Sequence, residues 1–280
     1  MSREIAHNAV REGFWENSIL DDTYQIYLDR VTNLVGTESQ AKTLPHIVES
    51  PKFAPHPEGG RQAKPFPGYS VITPPWRDSP SDSGVYEAVR ACQKRLSDRL
   101  DGDFFVPVPS ESFHFTVADL IWDSAYRDAL DQFPDFEERL RCCIGDIFQQ
   151  MQDSLVAAHP VRWKVVGLAV MTRAIAACLV PLDEASYDRI VRLRRALYQN
   201  SDLMRLGIEQ QYYFTGHVTL GYFGNLQSES DRAELAQFLT QAANETFQDA
   251  PPLHVNRVEL RKFEDMTRYD RSPNFPVLTL

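Results

Sequence analysis

Two segments of this chain repeat one local pattern. FHFTVADLI, from Phe113, and GHVTLGYF, from Gly216, each carry His, one residue, Thr and then an apolar residue, with the histidines 103 positions apart. The surroundings repeat as well. YSVIT, from Tyr69, reads as a strand. VYEAVRACQKRLSDRL reads as a helix with Val85, Val89, Leu96 and Leu100 on one face. FFVPV and FHFTVADLI read as strands, and Phe136, Leu140, Ile144, Ile147, Met151 and Leu155 mark a long amphipathic helix. Beyond it, WKVVGLAV and AIAACLV form a hairpin turning at Met171–Arg173, and a helix capped near Asp183 buries Tyr187, Ile190, Leu193 and Leu197. HVTLGYF, a helix opened by the capping-box-like Ser228-x-x-Asp231, and the strands LHVNRVELRKF and FPVLTL complete the chain. Each half thus places one helix before its His-x-Thr strand and one after it. A chain so patterned folds as an internally duplicated α+β unit, with the boundary near 156–162.

Residues 1–65 stand outside the repeat. DDTYQIYLDRVTNLVG predicts a helix from near Asp22 to Gly36, with Tyr24, Tyr27, Leu28, Val31 and Leu34 at helical spacing. The Pro- and Gly-rich LPHIVESPKFAPHPEGGRQAKPFPG that follows has no steady period and reads as loop. Length and composition suit a globular chain: 280 residues, 43% hydrophobic and 24% charged. No run approaches the ~20 apolar residues of a membrane span, and the charged N-terminus lacks a signal-peptide core, so a cytoplasmic protein is expected. Cys92, Cys142, Cys143 and Cys178 fit neither a zinc spacing nor a redox pair, and all four read as reduced core residues. The net charge of −10 weighs against a long nucleic-acid groove but not against a small anion held by a few donors.

Seven histidines give about one His-x-Ser/Thr by accident, so context decides whether the pair has meaning. Strand alternation puts His114, Thr116 and Ala118 on one face, opposite Phe113, Phe115 and Val117. Likewise His217, Thr219 and Gly221 lie opposite Val218, Leu220 and Tyr222. Each strand then has an apolar back and a front of imidazole, hydroxyl and a small residue that leaves room. Two such fronts across a pseudo-twofold axis suit a phosphoester: one imidazole as base, one as acid, and Thr hydroxyls on the non-bridging oxygens. Imidazoles acting as a pair predict a bell-shaped pH profile with both limbs near neutrality.

The paired motifs resemble those of the two-histidine (2H) phosphoesterases, the LigT-like or cyclic-phosphodiesterase-like superfamily, over roughly residues 66–280. The resemblance implies two pseudo-symmetric lobes of antiparallel sheet, roughly 66–156 and 162–280 and interleaved, with helices outside and an active-site groove between. It also implies cofactor-free, metal-independent cleavage of a 2′,3′-cyclic or 2′,5′-linked nucleotide phosphodiester. His114 with Thr116 and His217 with Thr219 would be the catalytic pairs, His114 the acid and His217 the base. Members often carry Lys or Arg just past the motif, where this chain has Ala118, Asp119, Gly221 and Tyr222. Arg173, Arg61 and Lys64 are candidate replacements, and Tyr213 is a candidate for stacking on a base. One imidazole per strand with no carboxylate on the same face falls short of a catalytic zinc site, so no metal is expected. The expected partner is a small nucleotide or an RNA-end phosphodiester, met by a monomer, with neither membrane nor long duplex nucleic acid. Two alternatives remain: a non-catalytic nucleotide or RNA-end binder, and an RNA 2′,5′ end-joining enzyme.

Overall fold

The computed structural model describes residues 21–79, 83–155, 160–228 and 232–280. The first 20 residues of the N-terminal extension, most of the expected boundary and Asp231 of the capping-box-like start lie outside them.

Two antiparallel sheets carry the architecture. In the first, the order is β11 (Arg268–Asp270), β10 (Arg257–Asp265), β3 (Gly68–Ile72) and β5 (Thr116–Trp122), with β12 (Val277–Thr279) also pairing β10. In the second, the order is β4 (Phe105–Pro107), β8 (His217–Phe223), β7 (Ala174–Pro181), β6 (Arg162–Val170) and β9 (Leu253–His254). Each sheet borrows from the other half of the chain: β10 pairs with β3, and β4 pairs with β8. The helices cross over too. α3 (Ser83–Arg99) packs on β8 and on α8 (Arg232–Phe247), whereas α6 (Glu184–Tyr198) packs on β5. α4 (Asp123–Gln132) and α5 (Phe136–Leu155) cover the rest of the first sheet, and α7 (Ser201–Arg205) sits beside α5 and α6.

The expected strands and long helices occur where periodicity placed them, and Asp183 caps α6 by accepting from Ser186 N at 2.7 Å. The N-terminal segment differs from expectation. α1 (Tyr24–Leu34) is capped by Thr23, a second helix, α2, spans Thr37–Thr43, and the Pro-rich stretch contains a hairpin of β1 (Phe53–Pro55) and β2 (Arg61–Ala63). Strands of three residues are too short to show a period, which is why this stretch reads as loop. Cys92 and Cys178 are buried and Cys143 is partly so. Cys142, also expected inside, is exposed, because α5 turns that position outward.

The extension is wedged into the core. Tyr27 is fully buried and meets Trp163, Tyr187 and Phe214 at ring separations of 5.7, 5.0 and 5.8 Å. Its hydroxyl donates to Leu179 O at 2.8 Å and accepts from Gly216 N at 2.9 Å. Stripping a buried group of its partner costs about 1–3 kcal/mol, so this hydroxyl ties α1 firmly to the turn before β8.

Candidate active site

Both histidines are held in the same way. His114 Nδ1 lies 2.6 Å from the carbonyl oxygen of Ser112, and His217 Nδ1 lies 2.7 Å from that of Thr215, two residues upstream in each case. A carbonyl oxygen only accepts, so Nδ1 carries the proton and Nε2 of each neutral ring keeps its lone pair. Thr215 is itself fixed from the extension: Arg30 donates to Thr215 Oγ1 at 2.8 Å and to Phe214 O at 2.5 Å.

The two motifs touch. A Cβ on Gly216 would stand 2.6 Å from Phe115 Cε2, so only glycine lets the residue before His217 press against the residue after His114. Phe115 also packs on Trp163 and Phe214, at 5.1 and 6.0 Å, closing the floor beneath both imidazoles. The rings are near enough for a positive charge on His217 to disfavour one on His114. The dominant effect on His114 is burial, which pushes its pKa down to about 4. The Ser112 carbonyl and the Asp119 carboxylate oppose that shift, and His217 and Arg261 add to it. The His114 ring keeps part of its edge exposed but is hemmed in, with the Tyr269 ring 4.1 Å away.

Beyond each threonine the strand departs from simple alternation. Thr116 pairs with Ile72 but Ala118 with Val71, leaving Val117 unpaired; Thr219 pairs with Ala176 but Gly221 with Ile175, leaving Leu220 unpaired. These are β-bulges, and one extra residue reverses the facing of everything after it. Ala118 and Gly221, expected on the front, therefore turn to the back. Ala118 is fully buried, and a Cβ on Gly221 would fall 2.6 Å from Phe105 Cε2. Asp119 and Tyr222 take the front instead. Asp119 accepts from Ser70 Oγ at 3.1 Å and from the Tyr212 hydroxyl, while the Tyr222 hydroxyl lies 3.5 Å from Lys52 Nζ.

Each bulge carbonyl is held by a buried side chain of the opposite half. Arg194, on α6, donates to Val117 O, and Gln93, on α3, donates to Leu220 O at 2.7 Å. Both carbonyls sit three residues past the histidine. Gln93 also donates to Val108 O at 2.8 Å, and the Tyr198 hydroxyl donates to Asp119 O at 2.8 Å.

The structure thus brings His114, Thr116, His217 and Thr219 into one groove, both threonines partly exposed. It does not bring Arg173 there. That residue is exposed at the β6–β7 turn beside Phe223, which is six residues along β8 from His217, or roughly 20 Å. Arg61 is bound to Glu49 at 2.6 Å, and the side chain of Lys64 points to solvent. Tyr213 is 52% exposed on the lip before β8, with the Arg30 guanidinium 6.0 Å from its ring centre. The sequence reading missed Asp119, Tyr222, Tyr269 and Lys52. Asp119, a carboxylate inside an apolar strand, was the one local signal available. Among the described residues no three His, Cys, Asp or Glu side chains converge as a metal cage, and no helix is long and apolar enough to cross a membrane.

A family profile described as "2H-phosphodiest: Domain of unknown function (DUF1868)" matches residues 57–173, the segment that contains His114 and Thr116. The chain belongs to the two-histidine phosphoesterase superfamily. The second motif of this 2H protein lies beyond the matched segment. A conserved protein of unknown function from Agrobacterium tumefaciens strain C58 shares its fold at a TM-score of 0.55 and 14% identity, over 86% of this chain and 97% of that one. Escherichia coli LigT complexed with 3′-AMP aligns at a TM-score of 0.41 and 16% identity, over 78% of this chain and 100% of that one. A structure described as a phosphoesterase aligns at 0.37 and 14%, with the same coverage. No curated protein matches the chain.

Proposed function

We propose that this 2H protein is a metal-independent phosphodiesterase that cleaves a 2′,3′-cyclic or 2′,5′-linked nucleotide phosphodiester with His114, Thr116, His217 and Thr219. One observation carries the reading. Two imidazoles with matched carbonyl clamps on Nδ1 keep both Nε2 atoms free, on segments in contact, beside two threonines. One Nε2 takes the proton from an attacking water as the P–O bond forms, and the other, protonated, gives its proton to the leaving ribose oxygen. The threonine hydroxyls donate to the non-bridging oxygens, where charge accumulates.

The surroundings reverse the roles that likeness alone assigns. Burial favours the neutral form of His114, so His114 suits the base, leaving His217 as the acid. The cation nearest His114 is already committed: Arg261 is bound to Glu259 at 2.5 Å and to Asp78 at 2.9 Å. Stabilisation of the phosphoryl group therefore falls to hydroxyls and to the imidazolium.

Incubating the protein with nucleoside 2′,3′-cyclic phosphates and 2′,5′-linked dinucleotides in excess EDTA tests the proposal. Turnover of at least one class, unaffected by the chelator, is expected. Binding without turnover would convert the protein to a nucleotide binder, and loss of activity with chelator would point to a metal.

A further inference from the structure

The groove contains one cation that nothing neutralises. Lys52 is partly buried, with Nζ 3.5 Å from the Tyr222 hydroxyl and 4.9 and 4.7 Å from the centres of the Tyr222 and Phe66 rings. Its position is built rather than incidental. Lys52 O accepts from Lys64 N at 2.9 Å across the β1–β2 hairpin, and Ser50 N donates to Phe223 O at 2.8 Å, anchoring the segment to the end of β8. Phe53 stacks against Tyr222 at 5.5 Å. The bulge at Leu220 sets Tyr222 on the same face as His217 and Thr219, so Lys52 meets the groove through it.

Neighbouring cations lack this freedom. Arg61, on the same hairpin, is paired with Glu49 and Asp103, and Arg261 with Glu259 and Asp78. Among the described residues Lys52 has no carboxylate partner, in a chain of net charge −10. An ammonium held beside a phenol hydroxyl, with aromatic walls and no counter-charge, is suited to a phosphate oxygen. Tyr222 is three residues past Thr219, about 10 Å along the strand, too far for Lys52 to serve the phosphorus under attack.

We propose that Lys52 and Tyr222 form a second anion subsite that holds another phosphate of the same substrate, one nucleoside away from the scissile diester. The proposal rests on the phosphodiesterase reading and names its substrate class: a nucleotide with a cleavable cyclic or 2′,5′ diester and a 5′-phosphate. The N-terminal segment then supplies the charge that is missing directly after both motifs.

The test compares adenosine 2′,3′-cyclic phosphate with and without a 5′-phosphate, using wild type, Lys52→Met and Lys52→Arg, each checked for an unchanged melting temperature. Wild type should show a KM about tenfold lower for the 5′-phosphorylated substrate. Lys52→Met should erase that preference with kcat within about twofold, and Lys52→Arg should keep most of it. No preference in wild type, or a preference that survives Lys52→Met, overturns the subsite. If wild type turns over neither substrate, the phosphodiesterase reading fails and calorimetry decides the subsite separately. Tighter binding of adenosine 3′,5′-bisphosphate than of adenosine 3′-phosphate, lost in Lys52→Met, supports it; equal binding overturns it.

Discussion

At the scale of single residues, His114 controls how the site responds to pH. A histidine whose pKa is pushed down to about 4 stays neutral through most of the acid range, so as a base it keeps its lone pair well below pH 6. The acid limb of kcat/KM reports the free enzyme's base and should therefore lie below about pH 5, with the alkaline limb belonging to His217. An acid limb near pH 6.5 would return the base role to His217. The sequence expectation of two limbs near neutrality is revised because burial, which no local pattern displays, outweighs the Asp119 carboxylate and the Ser112 carbonyl that pull the other way. The imidazoles and threonines were legible because their spacing repeats. Tyr269 and Lys52 were not, since they arrive from β11 and from a hairpin too short to have a period.

At the scale of elements, the bulges in β5 and β8 decide what the groove contains. Strict alternation puts Ala118 and Gly221 beside the threonines; one unpaired residue in each strand puts Asp119 and Tyr222 there instead. Period-two reasoning cannot see a bulge whose extra residue, Val117 or Leu220, is apolar like its neighbours. The devices that hold these bulges, Arg194 and Gln93, come from helices of the opposite half. In the sequence, each is merely a polar residue on an amphipathic helix. Gln93→Leu leaves buried carbonyls underbonded and should lower stability by about 1–3 kcal/mol. It should also cut kcat by about tenfold or more with little change in KM, measured well below the melting midpoint, because Thr219 and Tyr222 lose their register. A lower melting temperature with unchanged kcat would make Gln93 a packing device only.

At the scale of the whole molecule, the two halves exchange parts. β10 completes the sheet of the first histidine, β4 that of the second, and α3 and α6 each pack behind the other half's motif strand. The element order was readable from periodicity, and the exchange was not, because the choice of sheet depends on pairing between residues far apart in sequence. An arrangement that joins both fronts through Phe115, Gly216 and Tyr27 makes the imidazoles one working unit. The most direct test is the turnover of a 2′,3′-cyclic nucleotide by His114→Ala, His217→Ala and the double variant. Each single change should lower kcat by about 10²- to 10⁴-fold, and the double should be scarcely worse than the poorer single. Losses that multiply, or a single variant with full activity, would contradict a shared phosphorus centre.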